Sequence, residues 1–322
     1  MRLPSLLVLL TIGWSAALQA ERSPQQWLVA MASALDGQSY QGRLLYLRGE
    51  ELSTLQIRQT LLNGIKYERV THLDSQASEL IRIGAEVVSL GPDGQVTRLQ
   101  PGTATYPARL AETLGQNLPE QYQLQLAGED RVAGRAVTRL HLAPVDAWRF
   151  GYRVWLDDES SLPLKLETVD TQGQALERLE FLSLQLSPAL TAADFTVPKA
   201  ASDDALAPVQ PQRFAGRTMA LEPHWLPPGF RHVDGDTRLE QGRPVTARTY
   251  SDGIATFTLF VSPGEAEAEG PVVSRLGPTL AVTSHVDVMN AGFNVTLLGE
   301  VPPATAEKVL ANLKLVLEQD GG

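Results

Sequence analysis

Apolar residues recur every four positions near the start of the chain, at Trp27, Met31 and Leu35. This spacing gives a helix one apolar face. Ser23 before Pro24 supplies a capping side chain and a proline suited to the first helical position. The sequence therefore predicts a helix that begins after Ser23 and ends at Asp36-Gly37.

From Tyr40 onward, apolar and polar residues alternate, and this pattern predicts β-strands. Turn signals separate the runs, among them the hairpin dipeptide Asn63-Gly64 and the stretch Gly91-Pro92-Asp93-Gly94. The predicted strands cover residues 40–48, 53–62, 66–72, 80–90, 95–99, 122–128, 136–142, 150–156, 164–170 and 174–186. A second helix is predicted over residues 107–118, where leucines recur every four positions.

The last third of the chain repeats this alternation on a smaller scale. Strands are predicted at residues 245–250, 254–262, 279–288 and 293–300. A final helix is predicted from Thr305, with Val309, Leu313 and then Val316 or Leu317 on one face. The fold class is therefore α+β and mainly antiparallel: a large curved sheet with helices, and a smaller sheet with a C-terminal helix.

A segment rich in Ala, Pro, Asp and Gln, residues 199–218, separates the two parts and predicts a linker. The length of 322 residues also favours two domains. We expect a large domain at residues 21–198 and a small domain at residues 219–322, after a leader at residues 1–20.

The leader has the pattern of a secretory signal peptide. Arg2 precedes a mostly apolar run over residues 3–18, and small residues follow. Cleavage is predicted after Ala20, with Ala17 as the alternative. An uncleaved membrane anchor is less favoured because the apolar run is short for a bilayer span. We therefore expect an exported protein.

Composition excludes several functional classes. A formal charge of -10 argues against nucleic acid as a general partner, because phosphate binding needs clustered Lys and Arg. The absence of cysteine excludes disulfides, thiol catalysis and a lipid-attachment cysteine. Signatures of common enzymes are missing, and the five histidines share no metal-ligand spacing. We expect no catalysis, no metal and no cofactor; a secreted hydrolase has only the signal peptide in its favour.

Binding to a concave apolar surface remains as the expected chemistry, because a curved sheet that its own side chains do not fill offers such a surface. The candidates for lining a lipid cavity are Tyr46, Trp148, Phe150, Tyr152, Arg153 and Trp155. Arg149 and Arg153 have the chemistry to meet lipid phosphates. The alternative is that the aromatic residues form ordinary core and that the arginines are solvated or paired.

Four segments near the C-terminus carry a family resemblance: His224-Trp225-Leu226-Pro227-Pro228-Gly229-Phe230, Tyr250-Ser251-Asp252-Gly253-Ile254-Ala255-Thr256-Phe257, Leu276-Gly277-Pro278-Thr279 and Leu298-Gly299-Glu300-Val301-Pro302. In this order they resemble the C-terminal domain of the RseB/MucB family, the periplasmic negative regulators of sigma-E (AlgU-type) envelope stress signalling. Earlier in the chain, Leu162-Pro163-Leu164-Lys165 and Asp194-Phe195-Thr196-Val197-Pro198 resemble the half-open barrel of lipoprotein carriers.

This resemblance implies a regulatory binding protein. It would bind the periplasmic part of a membrane-bound anti-sigma factor, shield it from regulated proteolysis, and release it on sensing lipopolysaccharide or the acyl chains of a mislocalised lipoprotein. The contacts expected on the small domain are Trp225, Phe230, Tyr250 and Phe257. Members of the family also self-associate, and the sequence leaves the oligomeric state open. The alternative function is a periplasmic carrier or chaperone for lipids or lipoproteins.

Overall fold

A computed structural model describes residues 22–74, 78–99, 118–197, 218–265, 270–288 and 291–318. The predicted leader, nearly all of the predicted second helix and nearly all of the predicted linker lie outside these ranges. Within them, no helix has the length and apolar character needed to span a bilayer.

The N-terminal helix, α1 (Pro24–Gly37), begins as predicted. The Ser23 hydroxyl accepts a hydrogen bond from the Gln26 backbone N–H, and the Gln26 side chain accepts one from the Ser23 backbone. This capping box satisfies two N–H groups that the first helical turn leaves unpaired. Trp27, Met31 and Leu35 are all buried, so the predicted apolar face packs inward.

The large sheet follows α1 and, within the described residues, has eleven strands: β1 (Tyr40–Arg48), β2 (Glu51–Leu62), β3 (Ile65–His72), β4 (Glu79–Ile83), β5 (Glu86–Leu90), β6 (Val96–Leu99), β7 (Tyr122–Val132), β8 (Arg135–Pro144), β9 (Gly151–Asp157), β10 (Pro163–Val169) and β11 (Ala175–Leu186). Their spatial order is β6-β5-β4-β3-β2-β1-β11-β10-β9-β8-β7, and all pairs are antiparallel. We call α1 and this sheet the large domain.

The large sheet remains open, because β6 and β7 are its two edges and do not pair with each other. This confirms the predicted half-open barrel. Side chains of α1 join apolar residues of the sheet in one core, which includes Leu44 of β1, Val154 of β9 and Phe181 of β11. A separate cluster forms around Phe195 of a short 3-10 helix (Ala192–Phe195), which packs 5.5 Å from the ring of Tyr67.

The small domain comprises the described residues from 218 onward: β12 (Thr218–Pro223), β13 (Arg231–Glu240), β14 (Arg243–Ser251), β15 (Thr256–Pro263), β16 (Val272–Leu276), β17 (Thr279–Val288), β18 (Ala291–Gly299), α2 (Pro303–Ala311) and β19 (Leu313–Glu318). Six strands form one sheet in the order β13-β14-β15-β18-β17-β16, and β12 pairs with β19. The core between sheet and helix contains Phe257, Leu297 and Val309.

Two predictions about secondary structure were wrong. The single strand predicted at residues 80–90 is a hairpin, because Gly84 adopts a left-handed φ of +60° and turns the chain between β4 and β5. The final helix ends at Ala311, and the residues predicted to continue its apolar face form β19 instead. The strands β12, β13, β16 and β19 were not predicted.

Candidate functional site

An apolar cavity of about 280 Å³ opens on the face of the large sheet that packs against α1. Leu55, Ile57 and Leu179 belong both to its wall and to the core under α1, so the cavity continues the core. The remaining wall residues come from β1, β3, β4 and β5 and from the residue before β4: Tyr46, Val70, His72, Ser78, Glu79, Leu80 and Ser89. A mostly apolar wall with a few polar groups is the usual form of a small-molecule or lipid site.

Tyr46 links the cavity to a buried carboxylate. Its hydroxyl donates a 2.5 Å hydrogen bond to Oε1 of Glu177, whose side chain is 3% exposed. Burial raises the pKa of the Tyr46 hydroxyl above its ordinary value, and the hydrogen bond to Glu177 and the charge of Glu300 raise it further. Because Glu300 belongs to the small domain, this end of the cavity lies close to the second domain.

Arg48, two residues further along β1, contacts both domains. Its Nε lies 3.8 Å from the same Glu177 oxygen, and its Nη2 donates a 2.6 Å hydrogen bond to the hydroxyl of Thr279 in the small domain. Beside it, Gly49 of the large domain lies against Gly277 of the small domain, both with a left-handed φ. We call the contact of Arg48 and Gly49 with Gly277 and Thr279 the Arg48 contact.

A second contact between the domains centres on Arg149, in the connection between β8 and β9. The guanidinium is fully buried and forms an ion pair with the equally buried Asp252 of the small domain. It also donates two hydrogen bonds to Asp146, of 3.0 and 2.9 Å, and one of 2.6 Å to the carbonyl oxygen of Pro228. Burial alone lowers the pKa of Arg149, but these acceptors outweigh it and hold the pKa above its ordinary value.

Aromatic rings from both domains also meet next to Arg149 in the chain. Trp148 of the large domain meets Trp225 of the small domain edge to face, with ring centroids 5.0 Å apart. The ammonium of Lys308 in α2 lies 4.5 Å from the first ring and 4.2 Å from the second. The hydroxyl of Thr305 donates a 2.9 Å hydrogen bond to the Trp148 carbonyl oxygen. We call this set, with Arg149 and its partners, the Arg149 junction.

Of the six residues predicted to line a lipid cavity, Tyr46 lies in the wall of this one. Trp148 lies in the Arg149 junction, while Phe150 and Tyr152 are buried beside it. Arg153 donates to Glu167 and to the Gly173 carbonyl oxygen, so it is paired within the protein.

Trp155 is buried as well. Its indole N–H donates to Asp130, and Lys165 lies over its ring at 4.4 Å. A role in lipid binding stays a prediction for all six residues, including Tyr46 in the cavity wall.

The four residues predicted to contact an anti-sigma factor come together in the small domain. Phe230, Tyr250 and Phe257 are buried and form one aromatic stack, with centroid distances of 5.3 and 5.4 Å. Trp225 is partly buried against Trp148. In this arrangement the first three residues stabilise the core of the small domain, and their role in partner binding stays a prediction.

Sequence reasoning missed the polar residues that join the two domains: Arg48, Glu177, Asp252, Thr279 and Lys308. Asp252 offered one signal, since Asp before Gly marks a turn whose carboxylate accepts backbone hydrogen bonds. In the structure its Oδ1 does accept from the N–H groups of Ile254 and Ala255, which leaves Oδ2 for Arg149. The others carry no local signal, because their partners are distant in sequence.

Comparisons with known proteins cover both domains. The family model of the MucB/RseB N-terminal domain matches residues 23–205, and that of the MucB/RseB C-terminal domain matches residues 217–314. The chain is 32% identical over 319 residues to the sigma factor AlgU regulatory protein MucB of Pseudomonas aeruginosa, with 98% of each chain covered. It is 26% identical to the sigma-E factor regulatory protein RseB of Escherichia coli, with 96% of each covered.

Solved structures agree with these matches. The crystal structure of MucB in complex with MucA(peri) superposes with a TM-score of 0.71 at 30% identity, covering 91% of this chain and 98% of the other. The crystal structure of MucB alone gives a TM-score of 0.56 at 30% identity, covering 90% and 97%.

An open sheet with an apolar cavity, joined to a second sheet domain at the Arg149 junction and the Arg48 contact, defines a two-domain binding protein. The matches to both family domains identify the family: the chain belongs to the MucB/RseB family. Its named relatives are sigma factor regulatory proteins, and the chain is a regulatory binding protein rather than an enzyme.

Proposed function

We propose that this protein is a periplasmic negative regulator of envelope stress signalling. It binds the periplasmic part of a membrane-bound anti-sigma factor and shields it from regulated proteolysis. Lipopolysaccharide, or the acyl chain of a mislocalised lipoprotein, enters the cavity of the large domain and releases the partner. The apolar run after Arg2, followed by Ala17 and Ala20, directs export and is then removed.

One observation carries this proposal: both domains match a family in which a relative has been solved with its partner. Two structures of MucB with MucA superpose on this chain with TM-scores of 0.71 and 0.70, and MucB alone with 0.56, at nearly equal coverage. By this measure the whole chain is more similar to MucB in the complexes than to MucB alone. This supports a binding-competent arrangement stabilised by the Arg149 junction and the Arg48 contact.

Release by a lipid follows from thermodynamic linkage. A ligand that favours one arrangement of the two domains must weaken any partner that prefers another arrangement, and by the same factor in each direction. The cavity wall supports an acyl chain as that ligand, because apolar side chains from β1 to β4 and β11 make up most of it. The signal and the partner then act on separate surfaces of one molecule.

The test is a protease-protection assay. A purified anti-sigma periplasmic fragment is exposed to its site-one protease with increasing amounts of this protein, with and without lipopolysaccharide. We expect cleavage to slow as the protein is added and to recover when lipopolysaccharide is present. No protection at micromolar protein would contradict the proposal, and protection that lipopolysaccharide leaves unchanged would contradict the lipid signal alone.

A carrier or chaperone for lipids or lipoproteins is the second candidate, and the apolar cavity favours it. A pull-down separates the two functions. If the full-length protein retains an acylated lipoprotein but does not bind the anti-sigma fragment, the carrier function is correct. Capture of the fragment, reversed by the lipoprotein, supports the regulator.

A further inference from the structure

Two residues of β1 connect the cavity to the small domain. Tyr46 and Arg48 are two positions apart and therefore lie on the same face of their strand. Tyr46 lines the cavity, Arg48 reaches Thr279 in the small domain, and Oε1 of Glu177 lies within reach of both. This gives a continuous polar path of three side chains from the cavity wall to the second domain.

We propose that Arg48 is a positioning residue that converts occupancy of the cavity into a weaker contact between the domains. A lipid that displaces the Tyr46 side chain takes its hydroxyl away from Glu177. Arg48 then moves towards this carboxylate and gives up its hydrogen bond to Thr279. The lipid as the signal rests on the proposed function above; the path itself rests on the contacts.

The direction of this movement follows from the burial of Glu177. A buried carboxylate that loses a hydrogen-bond donor pays a large desolvation cost until another donor replaces it. The Arg48 guanidinium is a cation 3.8 Å from the oxygen that the tyrosine leaves, a distance too long for a good hydrogen bond in the resting state. A movement of about 1 Å brings it to hydrogen-bond distance.

The neighbouring glycines make the Arg48 contact sensitive to such a movement. The Gly49 N–H donates to the carbonyl oxygen of Leu176, the residue before Glu177. A Cβ atom on Gly277 would stand 2.8 Å from Cγ of Arg48 and 3.1 Å from the same carbonyl oxygen. The backbones of the two domains therefore meet beside the Arg48 side chain with no room for a Cβ atom, and in this proposal a shift of the side chain disturbs their contact.

The experiment measures the distance between the domains in the isolated, full-length mature chain. Because the protein has no cysteine, Val29→Cys and Val233→Cys place two spin labels without further changes. Both positions are 49% exposed, one on α1 and one on β13. Pulsed electron paramagnetic resonance then gives the distribution of distances between the labels.

Tyr46→Phe keeps the ring and removes the hydroxyl. We expect it to widen or shift the distance distribution, and Arg48→Met to do the same. In the Arg48→Met background, Tyr46→Phe should have no further effect, because both changes interrupt one path. An additive effect of the two substitutions, or no effect of either, would overturn the proposal.

Two controls separate this path from general loss of structure. Thr279→Ser keeps the hydroxyl and should leave the distribution unchanged, whereas Thr279→Val should reproduce Arg48→Met. Arg98→Met removes an exposed ion pair with Glu86 inside the large domain and should have no effect. If Thr279→Ser disturbs the distribution as much as Thr279→Val, the hydroxyl is not the contact and the proposal fails.

Lauric acid serves as the probe for the cavity. We expect it to shift the distance distribution of the parent protein and to leave that of Arg48→Met unchanged. An equal shift in both proteins would overturn the role of Arg48. If lauric acid has no effect on the parent while the substitutions behave as expected, the lipid signal of the proposed function fails and the polar path is supported.

Discussion

Arg149 in the large domain and Asp252 in the small domain form an ion pair in which both side chains are completely buried. Each side chain is also fixed by residues of its own domain. The guanidinium donates hydrogen bonds to Asp146, and the carboxylate accepts them from the backbone N–H groups of Ile254 and Ala255. An Arg–carboxylate contact of this kind depends on direction as well as charge. The pair therefore favours one orientation of the two domains over others.

Removing one partner of this pair should be costly. Arg149→Met leaves Asp252 buried without its cation, and a loss of about 3–5 kcal/mol in the free energy of unfolding is expected. Guanidinium unfolding followed by circular dichroism measures this loss. Arg98→Met, which removes an ion pair whose side chains are 43% and 50% exposed, should cost about 0–1 kcal/mol. Equal costs for the two variants would contradict a stabilising role for the Arg149 junction.

Lys308 should contribute a smaller amount to the same junction. Lys308→Met keeps much of the aliphatic side chain and removes the charge that lies over Trp148 and Trp225. Because Lys308 is exposed, we expect a loss of about 0.5–1 kcal/mol. Urea unfolding followed by tryptophan fluorescence measures it. Lys314→Met, at another exposed lysine of the small domain, is the control; a similar loss there would exclude a specific cation–π contribution.

Two glycines allow the steric part of the Arg48 contact to be isolated. Gly277 and Gly242 have left-handed φ angles of +57° and +79°, so alanine at either should cost about 1–2 kcal/mol in backbone strain. Only at Gly277 does the added Cβ meet the other domain; at Gly242 nothing lies within 4 Å. Gly277→Ala should therefore lose more unfolding free energy than Gly242→Ala in denaturant titrations. Equal losses would mean that contact of the added Cβ atom with the large domain has no energetic cost.

An additional carboxylate in the cavity wall, without a cation such as the one that Arg69 supplies to Glu79, should abolish binding of apolar ligands. Leu80 is half-buried and lines the cavity, so Leu80→Asp would place a carboxylate against any acyl chain, which is unfavourable. We expect lauric acid no longer to displace a fluorescent apolar dye from this variant. Leu61→Asp, at a position that is 44% exposed and outside the cavity wall, should bind like the parent protein. Unchanged displacement from Leu80→Asp would place the ligand elsewhere.

The stability of the large domain should depend on the ionisation of Asp157, at the end of β9. Burial raises the pKa of this carboxyl, but hydrogen bonds from Arg135 at 2.6 and 2.9 Å and from Ser160 outweigh it, so the pKa lies below its ordinary value. A lowered pKa in the folded state means that the unfolded state binds more protons at acid pH. The stabilisation is therefore present above pH of about 4 and is lost as the pH falls further.

Asp157→Asn tests this dependence, because the amide does not ionise. Urea unfolding at pH 7 and pH 3 should give a larger acid-induced loss for the parent protein than for the variant. Asp158→Asn is the matched control, since the exposed neighbouring carboxylate should leave the pH dependence of the parent intact. A parent and an Asp157→Asn variant with the same pH dependence would contradict the contribution of Asp157.

Local signals in the sequence were sufficient for much of the fold. The capping box at Ser23 and Gln26 begins α1 where it was predicted. Asn63 and Gly64 both adopt positive φ angles, 52° and 77°, and join β2 to β3 as the hairpin dipeptide predicts. These elements depend on residues next to one another, so the chain itself contains the information.

The end of the small domain was harder to predict, because its residues satisfy two patterns at once. Leu313, Val316 and Leu317 continue the apolar spacing of α2, but Leu313 and Leu315 also alternate with the polar residues Asn312 and Lys314, as in a strand. Asn312 ends the helix, and pairing with β12 decides in favour of the strand. That partner lies almost a hundred residues earlier, so no local pattern could resolve the choice.

The candidate site was the part of the structure that the sequence predicted least well. Tyr46, a predicted lipid-cavity residue, lies in the wall of the apolar cavity, and its role in lipid binding stays a prediction. The contacts that join the cavity to the second domain, however, bring together residues far apart in the chain; Arg48 and Thr279 are separated by 231 positions and Arg149 and Asp252 by 103. Charged residues at such separations show no periodicity, and only the three-dimensional structure reveals their pairing.

In both domains the first strand pairs with the last: β1 with β11, and β12 with β19. Bringing together two strands that are so far apart in the sequence is entropically unfavourable and slows folding. Neither domain can therefore complete its sheets until its final strand has emerged. A chain that crosses a membrane from its N-terminus would complete its sheets only late in transport, and loss of the last few residues would leave β12 without its partner.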